Sequence, residues 1–167
     1  MKRNFFLMLI VSFLSSFFSL VPTTHSQETP KTETKEKEYT LSNYEQEVFR
    51  LVNEERKKHN RKPLELSIKV SKLAREKSED MRDKDYYAHN SPTYGKPCDH
   101  MKQEGVNYRY CGENIAADYK TPEEVMKAWM DSKAHRENIL SENYTHIGIG
   151  YAEGGRYGTY WTQQFYS

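Results

Sequence analysis

An α+β domain is what three features of this 167-residue chain predict. Apolar residues recur at helical spacing from Tyr44 to Trp129, and Pro, Gly, Ser and Asn clusters punctuate the runs. From His146 onward the pattern changes to alternation, broken once at Gly154-Gly155. Helices first and a hairpin last, rather than strands and helices in turn, are the arrangement of folds that segregate the two. The length suits one domain.

The N-terminus stands apart from that domain. Lys2 and Arg3 precede Phe5–Val21, in which every residue is apolar or serine. A basic lead, a short apolar stretch and small residues beyond it describe a secretory signal peptide over 1–26, with Thr24 and Ser26 flanking a cut before Gln27. The run falls short of the roughly 20 apolar residues of a bilayer span, so a retained anchor is the lesser alternative. Residues 27–40 (QETPKTETKEKEYT) are mostly polar and mixed in charge, a flexible linker. The domain is expected over 41–167, in a protein that is secreted, periplasmic or held at the cell surface.

Loss of Lys2 and Arg3 would turn 25 cations against 24 acids into 23 against 24. A near-neutral chain has no field to gather nucleic acid, which is excluded as a partner. Five of the seven Phe also lie before Gln27, while all 13 Tyr lie after it. Tyrosine keeps a polar tip and suits either a half-wet face or a Tyr-rich core.

Ser42-Asn43-Tyr44-Glu45 has the form of a capping box, opening a helix on which Tyr44, Val48, Leu51, Val52 and Glu55 recur before Asn60 and Pro63 stop it. A second helix is predicted from Ser67 to about Lys84, with Val70, Leu73, Ala74, Lys77 and Met81 along one stripe. The stretch YYAHNSPTYGKPCDH (86–100) reads as a loop, and Pro97–Gln103 as a short helix ending at Gly105. Thr121-Pro122-Glu123-Glu124 starts another helix, with Pro in its first turn and Val125, Ala128 and Trp129 on one face. In the β-rich tail Tyr157, Thr159, Trp161, Gln163 and Phe165 share one face, and Gly158, Tyr160, Thr162, Gln164 and Tyr166 the other.

His89, His100, His135 and His146 are the histidines of the domain that merit weighing. None has the HExxH spacing that puts two ligands on one helical turn. Cys98 and Cys111 are the only cysteines, and an isolated pair in an exported chain forms a disulfide. A cysteine nucleophile paired with His89 or His135 is the minor alternative.

The segments HNSP (89–92), CGENI (111–115), EEVMKAWMDSKAHRENIL (123–140) and HIGIGYA (146–152), in this order, resemble the CAP superfamily, or SCP domains. That group holds cysteine-rich secretory proteins, antigen 5 and the pathogenesis-related proteins of plants, and the spacing is similar to its compact bacterial-type members. The resemblance runs over about 43–166 and implies a three-layer α-β-α sandwich with a shallow cleft of two histidines and two acids. Matched residue by residue, His89 is the first histidine, Glu113 the acid of the GEN segment and His135 the second histidine. The place of the second acid, three residues after the helix tryptophan, is Ser132 here. Asp131 is the substitute expected, with Glu124 behind it. On a helix these two point within about 20° of each other.

Two imidazoles with water can hold Zn²⁺ or another divalent cation, and a nearby carboxylate can orient a ligand or accept a proton. His89 and His135 are thus the expected metal ligands. The resemblance supplies no reaction. The reading is a secreted, monomeric binding or interaction module; the alternatives are a metal-dependent hydrolase using His89 and His135, and a protein acting on envelope or host surfaces. A small ligand, a lipid or an envelope component is the partner class expected.

Overall fold

The computed structural model describes residues 39–167. The expected signal peptide and all but the last two linker residues lie outside them. Those two are tied down: the Arg75 guanidinium sits 4.2 Å over the Tyr39 ring and donates to the Thr40 carbonyl at 2.9 Å.

Five helices and four strands follow in the order α1 (Asn43–Lys58), β1 (Glu65–Leu66), α2 (Ile68–Asp83), α3 (Pro97–Gln103), β2 (Cys111–Ala117), α4 (Pro122–Asp131), α5 (Lys133–Leu140), β3 (His146–Glu153) and β4 (Thr159–Tyr166). Helix α1 opens on the predicted capping box, in which Ser42 and Glu45 satisfy each other's backbone N–H. Helix α2 is capped by Ser67 and buries all five residues of its predicted stripe. Helix α3 spans the predicted residues. The long CAP-like segment divides at Ser132, whose extended backbone ends α4 and begins α5.

One sheet, ordered β1-β3-β4-β2, carries the domain. Strands β3 and β4 form the hairpin, β2 runs antiparallel to β4, and the two-residue β1 runs parallel to β3. Both faces of β4 are buried, which makes three layers. Trp161 and Phe165 pack with Val48, Val52, Val125, Trp129 and Ile139 of α1, α4 and α5. On the other face Tyr160 packs with Met81 of α2, and Tyr166 lies against Val70 and Leu73. The two faces therefore divide the tail as alternation predicts.

The HIGIG run has a steric cause. A Cβ at Gly148 would meet the backbone of Val70 and Ser71, and one at Gly150 the backbone of Ala74 and Arg75. Glycine at both positions lets α2 lie directly on β3. Earlier in the chain, Cys98 and Cys111 are joined, with Cα atoms 5.9 Å apart, tying α3 to the first residue of β2. Closing a loop of this size is worth about 3 kcal/mol in the chain-entropy account. The bridge also leaves neither cysteine free to act as a nucleophile.

Side chains take up outward backbone groups of β3, beyond its short pairing with β1, and of β2. At β3, Ser71 Oγ accepts from the Ile149 N–H at 3.1 Å, and the buried Glu45 carboxylate from the Tyr151 N–H at 3.0 Å. At β2, the Glu113 carbonyl accepts from Asn138 Nδ2 at 3.3 Å, and the Ile115 carbonyl from Tyr87 Oη at 3.0 Å and Trp129 Nε1 at 3.3 Å. Edges occupied in this way offer little template to another strand.

Candidate functional site

Strand β2 places the site. Its alternation sends Glu113 to the α2 side with Ile115 and Ala117, and Asn114 to the α5 side with Ala116. The loop after α2 then brings His89 to Glu113. Nδ1 of His89 lies 2.8 Å from Glu113 Oε1. The histidine side chain is 54% exposed and the glutamate 3%. A carboxylate only accepts, so Nδ1 carries a proton, and in the neutral ring the lone pair is on Nε2. Gln164 Nε2 donates to the second oxygen, Glu113 Oε2, at 3.2 Å and fixes the carboxylate from the next strand.

His135 arrives from the opposite layer. Asn114 Nδ2 donates to the His135 carbonyl at 3.1 Å and to Gln163 Oε1 at 3.0 Å, while Asn138 Nδ2 donates to Asn114 Oδ1 at 2.9 Å. This amide network seats α5 against β2. Burial pushes His135 below the ordinary imidazole range, and the neighbouring charge of His89 adds to the effect. Both effects favour the neutral ring.

Of the four expected cleft residues, His89 and Glu113 thus meet at β2, and His135 lies against the same strand through its backbone carbonyl. The fourth does not join them. Asp131 is exposed and pairs with Lys127 one turn back on α4. Glu124 accepts from the Lys120 N–H at 2.8 Å and serves the start of α4. Ser132, at the place of the missing acid, is the junction between α4 and α5. His100 is buried and stacked on Tyr94, and His146 is stacked on Tyr166, each with its own structural role.

Two supports beneath His89 come from α2. Lys77 Nζ donates to the carbonyls of Ala88 at 2.6 Å and His89 at 3.0 Å, and to Tyr86 Oη at 3.1 Å. Burial lowers its pKa, while nearby Glu113 and Asp80 act the other way. Asp80 accepts from Ser91 Oγ and Tyr86 Oη, both at 2.6 Å, and from Thr93 Oγ1. Its burial favours the neutral acid, but these donors and Lys84 outweigh that and bring its carboxyl down to about 2.

Sequence reasoning passed over Asn114, Asn138, Gln163 and Gln164 as working residues, although all four lie in segments it singled out. The available signal was a pair of amides in the middle of a strand whose two faces both belong to a core. Among the described residues no three His, Cys, Asp or Glu side chains converge as a metal cage. A closed four-ligand metal site does not fit this group.

The profile of the cysteine-rich secretory protein family (CAP) matches residues 49–165. An uncharacterized Bacillus subtilis (strain 168) protein, YkwD, is 56% identical over 126 residues, covering 75% of this chain and 48% of its own length. The crystal structure of an extracellular SCP-domain protein from Bacillus anthracis str. Ames is 33% identical with a TM-score of 0.67, over 74% of this chain and 40% of that one. An outer surface protein of Borrelia burgdorferi, at 19% identity, shares the fold with a TM-score of 0.66 over 72% of this chain and 89% of its own. The chain thus spans less than half the length of both Bacillus relatives. The family's profile runs from within α1 nearly to the end of β4, through every residue of the site; the chain belongs to the cysteine-rich secretory protein family.

Proposed function

We infer that this is an exported binding module whose β2 cleft takes one divalent cation through His89 and His135, completed by water. The observation that carries the reading is the hydrogen bond from His89 Nδ1 to the buried Glu113 carboxylate. A carboxylate behind an imidazole fixes the ring, raises its basicity and aims Nε2 at a ligand, as it does for metal-bound histidines generally. His135, held neutral by burial, supplies a second lone pair. The bound cation would offer a Lewis-acidic site for an anionic or carbonyl group of a partner. Export is supported by the apolar N-terminal run and by extracellular relatives such as the Bacillus anthracis protein. No helix among the described residues is long and apolar enough to cross a membrane.

Calorimetric titration of Zn²⁺ into the purified domain tests the reading. His89→Ala and His135→Ala should each abolish most binding, and Glu113→Gln should weaken it about 10- to 100-fold. His100→Ala, away from the cleft, should leave it intact. Affinity should fall as pH drops below about 6.5, where imidazole takes up a proton. Equal losses in His100→Ala and His135→Ala would return these histidines to a structural role.

A further inference from the structure

We propose that Lys77 is the positioning residue of the site: its ammonium, bound to the Ala88 and His89 carbonyls, holds the His89 ring in register with Glu113. The proposal rests on the cleft assignment above, but its main test needs no metal. A lysine in the interior of a helix stripe is unusual, because an ammonium is almost never fully buried unless it is paired. Here residue 77 is 3% exposed and, among the described residues, has no carboxylate within hydrogen-bonding distance. An ammonium has three protons. All three are used, two on consecutive backbone carbonyls of the His89 loop and one on Tyr86 Oη, with the Tyr86 ring 4.7 Å from the nitrogen.

The arrangement acts on one place. Residues 86–90 form no regular secondary structure, so the backbone at His89 has no ladder of its own to hold it. The Asp80 clasp fixes Ser91 and Thr93, farther along the loop. Tyr87 Oη fixes the earlier part to Ile115. Between them, Lys77 is the side chain that grips the His89 peptide itself. The ring is more than half exposed, and its one other polar partner is Glu113. Moving the His89 backbone by a fraction of an ångström is enough to lengthen that bond. Lys77 thus links the buried face of α2 to the direction in which Nε2 points, without itself touching a ligand.

The readout is the ¹⁵N spectrum of the His89 ring at pH 8 in metal-free protein. In the wild type the ring nitrogens should be well separated, as for one dominant Nδ1–H tautomer. Lys77→Met should draw the two shifts together as the tautomers exchange, with near-UV circular dichroism still native. Tyr86→Phe, which keeps both carbonyl bonds, should retain the wild-type separation. Val52→Ala, a cavity in the other layer of the core, should also retain it at comparable loss of stability. Lys77→Gln, with two N–H donors on a shorter stem, should fall between and stands in should Lys77→Met not fold. Zn²⁺ affinity should fall about tenfold in Lys77→Met. An unchanged His89 spectrum in Lys77→Met or, if that does not fold, in Lys77→Gln would overturn the proposal, as would an equal change in Val52→Ala. No Zn²⁺ binding by the wild-type protein, together with the tautomer change in Lys77→Met, would sink the cation reading and keep the positioning role.

Discussion

Asp80 shows how much of the site's order depends on groups that never reach a ligand. Its carboxylate gathers Ser91, Thr93 and Tyr86 into one knot, and its pKa of about 2 lies below the ordinary value of 3.8. A carboxyl with a depressed folded pKa stabilises the fold above its unfolded value, and that contribution drains away as pH falls from about 4 to about 2. The depression corresponds to about 2 kcal/mol. Asp80→Asn should lower stability at pH 7 by about that amount and flatten the acid limb below pH 4, as read by urea unfolding across pH 2–7. An unaltered acid limb would place the low-pH loss elsewhere. Such residues were hard to read from the chain. His89, Glu113 and His135 stand out only because short segments around them resemble a known family. The spacing of Lys77 puts it in a core stripe, which it does join, and nothing in that spacing shows that its ammonium meets two carbonyls eleven and twelve residues on. Asp131 was a reasonable guess from helical geometry, but α4 turns that side outward to Lys127.

Elements were more legible than contacts. The capping box at Ser42, the stripe of α2 and the bounds of α3 follow from local rules, and the structure keeps all three. Strand β2 was not foreseen, since Gly112, Glu113 and Asn114 are poor strand formers. It exists because β4 provides a complete ladder for it, from Cys111 opposite Tyr166 to Ala117 opposite Tyr160. Buried Glu45 and Arg56 on α1 escaped notice for a related reason. Glu45 pairs with Arg75 and accepts from the Tyr151 N–H, and Arg56 donates to the carbonyls of Lys62, Ile139 and Ser141, partners that only the tertiary fold supplies. The packing of α2 on β3 makes a sharp prediction at this scale. Gly150→Ala forces a methyl into the backbone of Ala74 and Arg75, so the layers must separate. Destabilisation of about 3 kcal/mol is expected, at the upper end for overpacking. Thermal unfolding checks it, and a variant as stable as the wild type would show that α2 has room to shift.

At the scale of the whole molecule the sheet is a partition between two helical layers, and β2 meets residues of both. His89 and Glu113 come from the α2 side and His135 from the α5 side, so a ligand on both histidines would bridge the two layers. The disulfide anchors the beginning of the same strand to α3. The central claim is that the two histidines form one cation site. Anomalous diffraction at the zinc edge from crystals soaked in Zn²⁺ tests it most directly. The account predicts a single strong peak about 2.1 Å from His89 Nε2 and from one ring nitrogen of His135. A peak only at other histidines, such as His146, or no peak in the β2 cleft at all, would contradict it.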